Sequence, residues 1–302
     1  LEHVERVGER AVAKAAKLIE ASKHPIILAG ELIAAENAGA ELHQLADATG
    51  AGVLTAYRQQ DVIDNLHPAH FGQLTLNRLP YQNEALAECD LIISIGSRLD
   101  SATTANYTMF RDDQKMIMVY PDASEFAAWQ VDVAIGAQSG PAMESLAEAL
   151  QGVEPPAERI AWRDKVHAAE MAYAEPGEIE IAGDVDMAQI ITTLMELAPR
   201  DAIHSSDAGT FGRWLHRYYR FRHPYCNLGP VSGAMGYGVP GAIGAQVADP
   251  DRMVFAWCGD GRPTQLPQSL KGRLPIVAFD RAPRGSGVSG DLQAVNQYRS
   301  LA

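Results

Sequence analysis

The sequence is poor in several features that would each have pointed to a class of function. It holds three cysteines in 302 residues, Cys89, Cys226 and Cys258, widely separated and with no Cys-x-x-Cys pair. That excludes a disulfide scaffold or a four-cysteine zinc site and fits buried thiols in a reducing, cytoplasmic compartment. Lysine and arginine together number 25 against 38 acidic residues, for a net charge of −13 and a pI near 5.1. No basic cluster of the kind that grips nucleic acid or an anionic bilayer is present. No apolar run is long enough to span a membrane, and no secretory leader is visible. The nine histidines show no His-x-x-x-His spacing, which argues against a helical zinc site. Ser139, Ser205 and Ser206 are not framed by the Gly-x-Ser-x-Gly elbow of a hydrolase.

What remains is a soluble α/β composition, 47% hydrophobic and 21% charged, with 26 glycines and 17 prolines. Short apolar runs alternate with amphipathic stretches. Val7 to Ala21 reads as a helix with Val12, Ala15, Ala16 and Ile19 on one face. Pro25 to Gly30 and Gly52 to Thr55 read as strands on either side of a helix over Ala34 to Thr49. Asp90 to Gly96, Met116 to Tyr120 and Val131 to Ile135 continue the pattern, and a helix from Met143 to Leu150 closes the half. Unbroken apolar strands separated by helices imply a parallel sheet covered on both faces. The stretch Gln151 to Gly183, with Glu154-Pro155-Pro156 and Glu175-Pro176-Gly177, breaks that rhythm and reads as a linker. A second α/β half follows, with a helix from Asp186, a strand over Ala202 to Ser206, a helix carrying Trp214, Leu215, Tyr218 and Tyr219, and strands at Met253 to Cys258 and Leu274 to Phe279. The expected fold is therefore two α/β domains, each a parallel sheet flanked by helices, over 1–152 and 184–302 with a linker at 153–183.

Two strands of the second half end in an aspartate: Asp207-Ala208-Gly209 and Gly259-Asp260-Gly261. Ligands of open α/β sheets bind beyond the carboxyl ends of strands. Between these two ends lies a segment with four glycines in nine residues, Gly233, Gly236, Gly238 and Gly241, running into a helix. Glycine there allows close backbone approach, and a helix start favours phosphate. Asp260 is a hard oxygen ligand suited to Mg²⁺ held jointly with phosphate.

The stretch GPVSGAMGYGVPGAIGAQVADPDRMVFAWCGDG closely resembles the diphosphate-binding domain of the thiamine diphosphate-dependent enzymes, nearest to their acetolactate synthase large-subunit group. The first half resembles that family's central, Rossmann-like domain. The resemblance implies thiamine diphosphate and Mg²⁺ as cofactors and a 2-oxo acid as substrate, decarboxylated or joined to an acceptor. It implies that Asp260 ligates Mg²⁺ with Gly261 beside the diphosphate. The carbonyl of Gly233 would accept from the aminopyrimidine, and Met235 would wedge between the two cofactor rings. Asp207, Ala208, Gly209, Thr210 and Phe211 would bracket the diphosphate, although relatives often carry Gln-His where Thr210-Phe211 stand. A homodimer or homotetramer is implied, since the family builds its site between subunits.

Several departures accompany the resemblance. The family's N-terminal pyrimidine-binding domain has no counterpart, and the chain opens on Leu1 in helical pattern, as if from within a longer protein; this chain alone is expected to be inactive. Gly30-Glu31-Leu32 lacks the second glycine with which relatives approach FAD, so an empty central domain is expected over a flavin-bearing one. After Gly261 the helix that relatives show is shortened to Gln268-Ser269-Leu270, and the strand Leu274 to Phe279 runs into Asp280-Arg281-Ala282-Pro283 without the Asn-Asn that supplies their second metal ligand. The expectation is ordered pieces of a longer chain joined together. The competing reading is a non-catalytic binding or scaffold protein of the same fold.

Overall fold

The computed structural model describes residues 8–177, 186–209, 211–258 and 276–278, the last three as backbone. The chain divides into two compact units, Leu1–Ala172 and Tyr173–Ala302.

In the first unit, α1 (Glu9–Ala21) buries Val12, Ala15, Ala16 and Ile19, the face that the sequence spacing marks. Five further elements alternate with it: β1 (Pro25–Ala29), α2 (Glu31–Ala35), α3 (Gly39–Thr49), β2 (Gly52–Thr55) and β3 (His70–Gln73). Then come α4 (Pro80–Glu88), β4 (Leu91–Ile95), β5 (Lys115–Val119), β6 (Val133–Ile135), α5 (Ser139–Ala149) and α6 (Ala157–Ala174). The strands form one sheet in the order β3-β2-β1-β4-β5-β6, with every pairing parallel. This is the doubly wound order whose chain direction reverses between β1 and β4. Side chains alternate across the pleat. From β1, Ile27 and Ala29 join Val12, Ile19, Leu42, Leu45, Met143 and Leu146 on one face, while Ile26 and Leu28 join Leu86, Met116, Met118 and Trp162 on the other. Both faces are dry, which is why β1 and β4 read as unbroken apolar runs.

Two local features differ from the sequence expectation. The single helix expected over Ala34 to Thr49 is split, because Asn37 adopts a left-handed φ of 55° and the Ala38 amide turns back to the Ile33 carbonyl at 2.9 Å. Asparagine tolerates that conformation better than most residues. The strand β3, His-Phe-Gly-Gln, has no apolar alternation to announce it. It pairs with β2 across a register shift between Val53 and Thr55. Within the segment expected as linker, α6 is an 18-residue helix whose Trp162 and Val166 enter the first unit's core.

The second unit begins its described part with α7 (Met187–Leu197), capped by Asp186, whose carboxylate accepts the amides of Ala188 and Gln189. It continues with β7 (Ile203–Ser206), α8 (Phe211–Tyr218), β8 (Asn227–Leu228), α9 (Gly238–Ala248), β9 (Val254–Cys258) and β10 (Ile276–Ala278). The sheet order is β10-β9-β7-β8, again parallel throughout. Both domains thus have the expected class of fold. On one face of this sheet Met187, Ile191, Leu215, Tyr218, Phe221, Phe255 and Trp257 pack together. On the other, α9 lies on β7 and β9 through Ile203, Ala242, Val254 and Ala256. Tyr218 and Tyr219 are buried and Trp214 half-buried, as their helical spacing suggests for core packing.

Candidate functional site

At the carboxyl ends of β7 and β9, the Asp207 amide donates to the carbonyl of Trp257 at 2.9 Å, so the two strand ends are fastened side by side. The Asp207 carboxylate then reaches across to the glycine-rich segment. Its Oδ1 accepts the amide of Gly236 at 2.6 Å and that of Tyr237 at 3.1 Å, as well as the amide of Ala208 at 3.0 Å. Gly236 and Tyr237 are the residues entering α9, and the N-cap residue Tyr237 makes no side-chain cap of its own. A carboxylate from another element therefore does the work of the cap.

The four glycines of the segment serve two different purposes. Gly233 and Gly236 have left-handed φ values of 70° and 87°, and among the described residues a Cβ on either would meet nothing within 4 Å. Their glycine is needed for backbone conformation. Gly238 and Gly241 have no such φ but no room. A Cβ at Gly238 would stand 2.8 Å from the Trp257 carbonyl, and one at Gly241 2.5 Å from the Ser205 hydroxyl. These two let α9 lie flush against its own strands, a role the sequence reading missed in favour of approach to a phosphate.

Between the left-handed positions, Met235 is 86% exposed, the most exposed large apolar side chain among the described residues. Val231 in the same turn is also exposed. An apolar side chain held out on a turn with fixed ends is a wedge for something that is not part of this domain's core. Of the other residues expected at the site, Ala208 and Gly209 follow Asp207 at the mouth of β7. Phe211 opens α8, lays its ring over Gly209, where an added Cβ would be 2.2 Å from the ring, and packs on the core beside Leu215. Thr210, Asp260 and Gly261 lie outside the described residues, as do 261–264 and 280–285, where the sequence departs from the family pattern. Among the described residues no group of three or more His, Cys, Asp or Glu side chains could hold a metal ion. The residues present fit thiamine diphosphate: an open turn, an outward apolar wedge and a glycine-lined helix start converge at the carboxyl ends of two parallel strands.

Beneath the site, and not found from the sequence, the indole of Trp257 hydrogen-bonds His204 within a fully buried aromatic group. Strand β7, Ile-His-Ser-Ser, is buried at all four positions, so no alternation in the sequence marked His204.

The corresponding crevice of the first unit is built differently. At the reversal between β1 and β4, the Gly30 amide donates to the Ile95 carbonyl at 2.8 Å, and the Leu32 amide donates to that of Gly96 at 3.0 Å. A Cβ on Gly30 would be 2.3 Å from the Gly96 carbonyl oxygen. Burial pushes the Glu31 carboxyl up, while the amides of Glu31 and Arg98, both bonded to it, pull the other way. The backbone donors at the head of α2 are thus bonded to carbonyls and to a carboxylate.

Residues 12–146 match the family described as thiamine pyrophosphate enzyme, central domain, and residues 207–271 match its C-terminal TPP binding domain. The chain is 31% identical over 299 residues to the acetolactate synthase large subunit of Corynebacterium glutamicum, covering 97% of this chain and 47% of that protein. It is 27% identical over 299 residues to the acetolactate synthase of Mycobacterium bovis, covering 97% and 48%, and 28% identical over 256 residues to the large subunit of Porphyra purpurea, covering 83% and 43%. The chain spans about half the length of the curated relatives it matches. The turn that carries Gly233 and Met235, its tether at Asp207 and the strand β9 all fall within the matched C-terminal segment, and the doubly wound sheet falls within the matched central one; the chain belongs to the thiamine pyrophosphate enzyme family, carrying its central and its C-terminal TPP binding domains.

Proposed function

We propose that the protein carrying this chain is a thiamine diphosphate- and Mg²⁺-dependent 2-oxo acid decarboxylase or carboligase of the acetolactate synthase type. The observation that carries the reading is the exposed Met235 on a left-handed glycine turn, fastened to Asp207 between the ends of β7 and β9. Bound thiamine diphosphate supplies both the nucleophilic carbon and the electron sink for the 2-oxo acid. The chain's own residues bind and orient. The Gly233 carbonyl would accept a hydrogen bond from the aminopyrimidine, Met235 would pack against the cofactor's rings, and Ala208 and Gly209 would line the diphosphate side. Asp260 is the proposed Mg²⁺ ligand, with Gly261 next to it. A carboxylate shared with diphosphate oxygens suits Mg²⁺, which keeps an octahedral oxygen shell.

The central domain is proposed to hold no flavin, supported by the spent amides around Gly30 and Glu31. Assembly as a homodimer or homotetramer and a cytoplasmic setting are part of the same proposal. The latter is supported by three buried cysteines that form no disulfide. No helix among the described residues is long and apolar enough to cross a membrane.

Calorimetry on the intact protein with thiamine diphosphate and Mg²⁺ tests the reading. Wild type should bind and Asp260→Ala should lose at least about tenfold in affinity, the scale of one charge-assisted metal contact. No binding by wild type would leave a scaffold of the same fold. Consumption of pyruvate, with acetolactate or acetaldehyde as product, then separates carboligase from simple decarboxylase.

A further inference from the structure

We propose that Asp207 is a positioning residue for the pyrimidine side of the cofactor, acting through the Gly233–Met235 turn, and that it is not a ligand of the diphosphate or its metal. The proposal rests on the cofactor reading above and assigns within it what Asp207 does.

The turn from Val231 to Gly236 is exposed along its whole length. Among the described residues no atom beyond the chain neighbours stands within 4 Å of where a Cβ would be on Gly233 or Gly236, so packing against them does not define the backbone there. Two anchors among the described residues do. At one end the Gly233 amide donates to the Pro230 carbonyl at 2.9 Å. At the other, the amides of Gly236 and Tyr237 converge on one oxygen of Asp207. Glycines at left-handed φ are the residues most free to leave that conformation. Removing the second anchor would therefore release the turn while leaving the helix and sheet below it in place.

Asp207 is itself held at both its backbone and its side chain. Its amide is bonded to the Trp257 carbonyl, and its own side chain closes on the Ala208 amide. It thereby ties three pieces to one point: the end of β7, the end of β9 and the start of α9. An anion facing inward to three amides is also badly placed to welcome a diphosphate, which carries charge of the same sign. The residue's chemistry is that of a helix cap borrowed from another strand, and its value to the reaction is the fixed direction of the Gly233 carbonyl and of Met235.

The test uses the intact protein and two probes: thiamine diphosphate with Mg²⁺ by calorimetry, and inorganic pyrophosphate with Mg²⁺ as its competitor. In Asp207→Ala, thiamine diphosphate should bind about tenfold more weakly or worse, about 1.4 kcal/mol, while the pyrophosphate inhibition constant stays within about twofold. Asp207→Asn keeps an acceptor oxygen and should recover most of the lost affinity, which a general loss of folding would not explain. If the alanine variant does not fold, Asp207→Ser takes its place, because its shorter side chain cannot reach the amides of Gly236 and Tyr237: weaker thiamine diphosphate binding with unchanged pyrophosphate binding supports the proposal. Equal losses for both probes, or a loss in neither, overturns it and leaves the cofactor reading standing. Wild type that binds no thiamine diphosphate removes the cofactor reading and this inference together.

Discussion

The indole nitrogen of Trp257 donates to Nδ1 of His204 at 3.0 Å, with both side chains fully buried. Phe255 stacks on the imidazole at 5.1 Å between ring centroids, and Tyr219 lies at 4.1 Å. An acceptor at Nδ1 requires the neutral ring with its proton on Nε2. Trp257 stands three residues before Asp260, and His204 three before Asp207, so this bond locks the two cofactor-bearing strands from below.

Burial, and secondarily His216, lowers the pKa of His204 to about 3. Below the ordinary imidazole value of 6.5 the unfolded chain takes up a proton that the folded chain refuses. The stability held by the neutral ring is complete above pH 6.5 and is lost progressively down to about pH 3. The slope is at most about 1.4 kcal/mol per pH unit. His204→Gln keeps an acceptor for Trp257 and cannot titrate. Urea midpoints at pH 7.5 and pH 5.0 should show wild type losing about 1–2 kcal/mol more than the variant. Equal losses would remove His204 as the acid-sensitive element.

The glycines of α9 give a paired prediction. Gly238→Ala forces a methyl to within 2.8 Å of the Trp257 carbonyl and 3.1 Å of the Asp207 amide, and backbone atoms cannot yield as a flexible side chain would. A cost of about 2–3 kcal/mol is expected, together with weaker cofactor binding, because the displaced atoms belong to both strand ends. Gly244→Ala, six residues along the same helix, meets nothing within 4 Å and should stabilise by about 0.5–1 kcal/mol through helix propensity. The two variants measured side by side in chemical denaturation decide whether the glycine at 238 is there for packing.

Much of this was legible beforehand, and the reasons differ by element. The strands at Ile26, Ile92 and Ile117 are buried on both faces, so their composition alone betrays them. The first helix announces itself by the spacing of Val12, Ala15, Ala16 and Ile19. The site was expected where two strands end in Asp with glycines between; Asp207 and those glycines are described, and Asp260 lies outside the described residues. Beyond reach were relationships that depend on tertiary register. Nothing local distinguishes Gly238, needed for space, from Gly236, needed for φ. Nothing near Asp207 in sequence says that its carboxylate is spent on amides 29 and 30 residues away. The edge strand at His70 was missed because a polar four-residue strand carries no periodicity, and the helix break at Asn37 because one left-handed residue outweighs a continuous helical pattern.

The thiols should be inert in the native protein. Burial pushes Cys89 up to about 12, and burial together with the charge of Asp207 does the same for Cys258. The thiolate is the reactive form, so at pH 8 its population at either site is about one in ten thousand. Cys226 is buried as well. Iodoacetamide at pH 8 should leave Cys89 and Cys258 unmodified for hours and label both promptly in urea, read by mass spectrometry. Rapid native labelling of Cys258 would mean that the end of β9 opens readily, against the tethering described here.

Helix α6 is held on the first unit by Arg159. Arg159 is 3% exposed, and its guanidinium donates to the carbonyls of Thr49 at 2.6 Å, of Ile19 at 2.9 Å and of Ser22. Those carbonyls lie at the carboxyl ends of α3 and α1, where partners within the helix run out and the helix dipole is negative. One planar, five-donor group thus caps two helices from a third. Burial lowers its pKa, and the nearby charge of Asp90 works against that shift. Arg159→Met preserves the length and apolar stem but strands several buried carbonyls, at a cost of about 2–4 kcal/mol. Arg159→Lys retains the charge, yet a single ammonium cannot span both helix ends, so it should recover less than half of the loss. Hydrogen exchange should report the change first in α6 and at the last turns of α1 and α3, ahead of the sheet. If the lysine variant matches wild type, charge alone suffices and the forked geometry is dispensable.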